Sequence, residues 1–295
     1  MSSKKPYVYN LLLIITMIIW AGSFIFIKIG LRELAPFNLA LYRFLLASPI
    51  VFFYVSIRGK FKFPEKVDIP NVILLSLSGV TLLYALQFFA LKLTTATNAS
   101  ILINSATLFV VIFAILVGER VTLIRTLGII IAFIGITLVI SRGNLEIFTS
   151  RTIYGDLLLI VDGMLWAVYT VIGKKLLSKY DPENLTANVF ILGTIFLIPF
   201  ALWEGIQSPM DLSLTAISSI VYLSVLCSVF GYIVWYYVLE KRESSIVAAY
   251  VYLIPLFTAI MAYYILHEEI TILTAIGGAL TITGILFAEY GGNLA

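Results

Sequence analysis

Apolar runs of about twenty residues, separated by short polar punctuation, fill almost the whole chain. A bilayer core takes roughly 20 apolar residues per helix, with about 17 to 25 tolerated. On that template spans are predicted at 8–27, 37–57, 69–91, 97–117, 123–140, 154–173, 186–203, 215–239, 245–266 and 272–289. The punctuation is Arg32-Glu33-Leu34-Ala35-Pro36, Gly118-Glu119-Arg120, Lys179-Tyr180-Asp181-Pro182 and Glu240-Lys241-Arg242-Glu243. The longest polar stretch, 58–70, is too short for a domain. The pattern therefore predicts an all-α integral membrane protein of ten transmembrane helices, with its working groups inside the membrane. The first run follows Lys4 and Lys5 without a small-residue cleavage site, so it reads as a first spanning helix and not a signal peptide.

The pattern also repeats. Trp20-Ala21, Lys28 and Pro36 return as Trp166-Ala167, Lys174 and Pro182, a constant offset of 146. Gly118-Glu119-Arg120-Val121-Thr122 returns as His267-Glu268-Glu269-Ile270-Thr271, and Gly128 and Gly135 return as Gly277 and Gly284, at an offset of 149. Each half, 1–146 and 147–295, then carries five spans. Five is odd, so the second half must enter the bilayer from the opposite side, giving two inverted five-helix repeats. Inverted halves can exchange conformations around a shared midplane site, which is the logic of alternating access.

Composition sharpens this. The chain is 61% hydrophobic and 12% charged, with a mean hydropathy of +1.06, whereas soluble domains are about a quarter charged. Such an excess fits a surface whose solvent is lipid. With the N-terminus inside, the inner segments hold Lys4, Lys5, Arg58, Lys60, Lys62, Lys66, Arg120, Arg125, Lys174, Lys175, Lys179, Lys241 and Arg242, against Lys28, Arg32, Lys92, Arg142 and Arg151 outside. That bias predicts a multi-pass protein of the cytoplasmic membrane with both termini in the cytoplasm.

Several chemistries are excluded. Cys227 and His267 are the single cysteine and histidine, too few for a disulfide, a zinc cluster or a Cys/His nucleophile pair. No phosphate-binding loop is present, so the chain does not itself use ATP. No cofactor, no metal and no nucleic-acid partner is expected. The partners expected are a small-molecule substrate and the bilayer, with protons as a candidate coupling ion. Oligomeric state is left open.

Trp20-Ala21-Gly22-Ser23-Phe24 with Lys28, Leu34-Ala35-Pro36 running to Leu41-Tyr42-Arg43-Phe44, and Leu116 to Thr122 with Gly128 and Gly135 resemble the EamA-type branch of the drug/metabolite transporter superfamily. Gly155-Asp156-Leu157-Leu158, Trp166-Ala167 and Tyr252-Leu253-Ile254-Pro255 continue the resemblance through the second half. It implies a central cavity lined by the first, third, fourth, sixth, eighth and ninth helices, and export of amino acids or other metabolites. Two departures stand out: Asn104-Ser105-Ala106 where the family usually has a proline, and Asp162 where it commonly has a small apolar residue.

Asp162 is the most informative residue. A charge at the centre of a membrane helix costs about 2.5 to 3.5 kcal/mol on insertion scales, so it should face protein or water. Asp162, Trp166 and Thr170 fall on one helical face. The carboxylate could bind a substrate amine, carry a coupling proton or pair with Arg43. Arg43 could receive a substrate carboxylate or pin helix ends. Tyr84, Gln87 and Phe88 share a face, as do Tyr232 and Tyr236, while Asn98, Asn104 and Tyr250 add amides and a phenol. Trp20 and Tyr169 complete the candidate substrate set; Arg43, Asp162 and Pro255 are the candidates for coupling or gating. Helix packing is the structural alternative for each amide and phenol.

The predicted function is secondary transport, as an exporter, of small organic metabolites such as amino acids or aromatic compounds. A flippase for lipids or lipid-linked sugars, or a multidrug exporter, is the alternative reading. An intramembrane enzyme is disfavoured because Asp162 has no deep acidic partner, and a channel is separable only by rate and saturation.

Overall fold

The computed structural model describes residues 6–90, 93, 102–141, 153–266 and 272–290, and among these every regular element is a helix. In chain order the rods are α1 (Pro6–Gly30), α2 (Pro36–Ile57), α3 (Ile69–Ala90), α4 (Leu102–Leu116), α5 (Leu123–Ser141), α6 (Ile153–Leu176), α7 (Pro182–Glu204) and α8 (Leu214–Lys241). They are followed by α9 (Ser244–Ala249 and Leu253–Leu266, joined by a 3-10 turn at Tyr250–Tyr252) and α10 (Ile272–Tyr290). Seven helices are long and apolar enough to cross a membrane, and shorter apolar helices lie at Leu102–Leu116, Ser244–Thr258 and Ala275–Tyr290. The protein is thus a multi-pass membrane protein. Ile112, Ile134 and Leu202 point outward, half exposed or more, which lipid tolerates and water would not.

Helix starts follow the local chemistry. Pro36 and Pro182 occupy the first helical position of α2 and α7, where the missing N–H would have had no partner anyway. This sets the start of α7 four residues before the predicted 186. The free N–H groups of α2 are capped from across the bundle: the Glu204 carboxylate accepts from Phe37 N at 2.8 Å and Asn38 N at 3.1 Å. Thr122 caps α5, its Oγ1 accepting from Arg125 N at 3.3 Å; its repeat counterpart Thr271 lies outside the described residues. In α9 the 3-10 turn ends just before Pro255, where proline withholds the N–H that residue 251 would have bonded.

Two helices carry π-helical segments, Leu77–Thr81 in α3 and Tyr222–Phe230 in α8. Both shift the backbone hydrogen-bond ladder, a feature that recurs near functional sites.

The most extensive contact is between α5 and α10, and the four glycines of the repeat, Gly128, Gly135, Gly277 and Gly284, lie in it. A Cβ on Gly135 would lie 2.6 Å from Thr281 N and 2.7 Å from the Gly277 carbonyl. One on Gly277 would lie 2.6 Å from the Gly135 carbonyl. Several other helix contacts come in pairs whose members lie five helices apart. Helix α2 packs on α7; α4 packs on α6 as α9 packs on α1; α3 packs on α7 as α8 packs on α2.

One end of the bundle is charged. Glu119 accepts from Ser244 N at 3.1 Å and Ser244 Oγ at 2.7 Å, and pairs with Lys174 at 3.4 Å. Arg125 pairs with Glu243, and Arg242 with Glu289. Arg242 also donates to Asn10 Oδ1 at 2.6 Å. Lys174, in the last turn of α6, is tied into this network.

Beside it, Asp68 accepts from the Tyr180 hydroxyl at 2.9 Å and from Lys179 Nζ at 3.1 Å. The Tyr180 hydroxyl first, then the Lys179 ammonium, hold the Asp68 carboxyl below its ordinary range. A carboxyl lowered by folding adds stability above its unfolded value of about 4, and loses it as pH falls through the lower folded value. Thermal unfolding should therefore show a midpoint that declines from pH 5 toward pH 3, and Asp68→Asn should decline less over that window. Equal declines would remove this assignment.

Candidate functional site

Aromatic rings from three helices meet at the middle of the bundle. Trp20 of α1 lies edge-on to Trp166 of α6 with centroids 5.6 Å apart, and Trp166 lies edge-on to Tyr232 of α8 at 5.8 Å. The π segments lock them. Trp20 Nε1 donates to the Cys227 carbonyl at 2.9 Å, and the Tyr232 hydroxyl donates to the Gly79 carbonyl at 2.8 Å. Gly79 and Cys227 each lie inside one of the two π segments, 148 residues apart. Tyr84 and Tyr232, also separated by 148, share a hydrogen bond at 3.0 Å.

Next to these rings is a cavity of about 110 Å³. One water needs about 10 to 15 Å³ on this measure, so several waters or a small organic solute fit. Its lining comes from α1, α3, α4, α6, α8 and α9, as the family resemblance implied, with Arg43 of α2 in addition.

Two ionisable side chains face this space. Asp162 is 2% exposed and Arg43 is 3% exposed. Arg43 donates from Nε to Ser228 Oγ at 2.7 Å, and its guanidinium lies 4.3 Å from the centre of the Tyr84 ring. Asp162 is approached by Gln87 Nε2 at 3.4 Å, and its Oδ1 has no hydrogen-bond partner. Among the described residues no ion pair joins Asp162 to Arg43. The alternative in which Asp162 pairs with Arg43 is thus not seen: Ser228 and the Tyr84 ring hold Arg43, and Gln87 approaches Asp162.

Of the predicted residues, Trp20, Arg43, Tyr84, Gln87, Asp162, Trp166 and Tyr232 line the cavity. Others form the layer behind it. Tyr169 stacks on Trp166 at 5.3 Å and on Tyr236 at 4.9 Å, and Phe88 packs on the Tyr84 ring at 5.7 Å. Thr170 and Asn104 are buried off the lining, and Pro255 stands beside the lining residue Ile254. Tyr250 is corrected outright: its hydroxyl faces Glu289 at 3.4 Å, in the charged network. Asn98 lies outside the described residues.

Sequence reasoning passed over Ser23, Ile27, Leu83, Ile103, Ala106, Val251 and Ile254 on the lining, and Ser228 behind Arg43. Ser23 and Ile27 were within reach, since they continue the face of Trp20 at three and seven residues. Ser228 was not, because its partner comes from a helix 185 residues away.

The site is sealed toward the charged end. Tyr169, Trp235 and Tyr236 are fully buried. On α1 the network begins at Asn10 and the cavity at Trp20, about 15 Å apart at 1.5 Å per residue.

Comparison with known proteins agrees with this architecture. A model described as the EamA-like transporter family matches residues 8–141 and again 153–290. A relative from Archaeoglobus fulgidus, named "Uncharacterized transporter", is 56% identical over 276 residues, covering 94% of this chain and 95% of its own. Another, from Escherichia coli (strain K12) and named "Probable amino-acid metabolite efflux pump", is 27% identical over 299 residues, covering 98% and 96%. A solved structure with 17% identity superposes with a TM-score of 0.82 over 96% of this chain and 98% of its own, a likeness of fold.

Proposed function

The chain belongs to the EamA-like transporter family, and from that premise we propose a ten-helix secondary carrier of two inverted five-helix repeats that exports small organic metabolites, such as amino acids or aromatic compounds, by alternating access. The observation that carries this reading is the cavity itself. It lies where helices from both halves of the chain meet, is walled by apolar and aromatic groups, and holds a few fixed polar ones, which is the usual make-up of a small-molecule site.

In this reading the charged end is the cytoplasmic gate, closed here by the Glu119, Glu243 and Glu289 pairs. Breaking those contacts while the opposite end closes would present the same cavity to the other side. Two inverted halves would offer two related arrangements, which a carrier needs; the paired helix contacts support that reading. Transport is driven by the solute's own gradient or by coupled protons.

Counterflow tests the proposal. Proteoliposomes preloaded with an unlabelled amino acid or aromatic metabolite should transiently accumulate the labelled solute, with saturable rates. Folded protein that gives no counterflow with any such solute, but scrambles labelled lipids, would favour the flippase alternative.

A further inference from the structure

We propose that the central cavity selects a dipolar solute, with its ammonium group at Asp162 and its carboxylate at Arg43; this inference rests on the carrier reading above. An acid and a base, each almost fully buried, line one small cavity, and among the described residues no ion pair joins them. A buried charge without a partner is strongly unfavourable, and removing one member of a buried pair costs far more than removing both. Water in the open cavity can solvate both groups. When the cavity closes around a solute, that water leaves, and the solute must supply what it supplied.

A singly charged solute satisfies one group and strands the other. A neutral solute strands both. A solute bearing one ammonium and one carboxylate meets both at once, and the neutral sum lets the occluded form cross the cycle without a buried net charge.

The positioning is consistent with this division. Arg43 is fixed through Nε by Ser228 and along its plane by Tyr84, which orients the guanidinium for a carboxylate. Asp162 has only the long contact from Gln87, and Oδ1 is unpartnered, so a donor is still needed there. Trp20 and Trp166 offer flat apolar faces for the remainder of the solute.

The test uses three probes of one skeleton in counterflow: leucine, leucinamide as the cation, and 2-hydroxy-4-methylpentanoate as the anion. Wild-type protein should exchange leucine at least about tenfold faster than either singly charged analogue, the size of one lost charge-assisted hydrogen bond. Asp162→Asn should lose leucine exchange and shift its preference toward the hydroxy acid. Arg43→Gln should shift toward leucinamide. Quenching of tryptophan fluorescence by each probe reads binding directly and does not require turnover.

Two results would overturn the inference while leaving the carrier intact: saturable wild-type exchange of an analogue as fast as leucine, or variants that lower all three probes in equal proportion. Absence of exchange and of quenching for every probe, in protein that remains folded, would remove this inference; if other metabolites also fail in counterflow, the carrier reading falls with it.

Discussion

Gly135→Val should leave a protein that cannot assemble its last helix. The substituted Cβ would sit 2.6 Å from Thr281 N and 2.7 Å from the Gly277 carbonyl, and both are backbone atoms of α10, so no rotamer change relieves the clash. Overpacking a well-packed site costs about 1 to 3 kcal/mol when side chains can give way, and more when they cannot. At about 2 to 4 °C per kcal/mol for chains of this class, the unfolding midpoint should fall by about 10 °C or the folded species should vanish in detergent. Ile134 is the control: it is the neighbouring residue, it is half exposed on the lipid side, and Ile134→Ala should change the midpoint by little. Equal effects at the two positions would mean that α5 and α10 do not meet through their glycines.

Glu119→Gln should shift the carrier toward opening at its charged end. Glu119, just past the end of α4, holds the start of α9 through the Ser244 N–H and hydroxyl, and α6 through Lys174. Neutralising it weakens two hydrogen bonds and leaves the Lys174 ammonium, three-quarters buried, without its partner. Charged hydrogen bonds contribute about 1.5 to 3 kcal/mol each, enough to move a two-state balance by about tenfold or more. The expected signature is not unfolding. Reagent access to the cavity from the charged end should rise while access from the opposite end falls. Lys174→Gln should shift the balance in the same direction by a smaller amount, because Ser244 still holds Glu119.

Much of this was legible in the sequence, and the reasons are local. Spans of about twenty apolar residues report helices because lipid permits few other ways to satisfy a backbone, and seven of the predicted spans appear as long apolar helices. Paired glycines two turns apart report a close helix crossing, and α5 and α10 cross there. Asp162 stood out because a carboxylate in an apolar run is costly unless it faces a cavity, which it does.

What failed has an equally physical cause. Tyr250 was chosen as a phenol on the ninth helix, which residue type alone cannot orient; it opens a 3-10 turn and its hydroxyl faces Glu289. Phe88, Thr170 and Tyr236 share faces with lining residues, but a face is wider than the cavity. Ser228 and the Gly79 and Cys227 carbonyls matter through π-helical segments that no residue pattern announced.

The most direct test places a single cysteine on the cavity. Ser23 lines it from α1, so Ser23→Cys in a Cys227→Ala background gives one reporter thiol for a membrane-impermeant reagent applied to either side of oriented vesicles. Alternating access predicts labelling from both sides, protection by transported solute, and a reciprocal shift on adding Glu119→Gln, with the charged side rising as the other falls. Labelling that rises on both sides together would describe a pore, and labelling confined to one side in every variant would mean that the cavity never crosses.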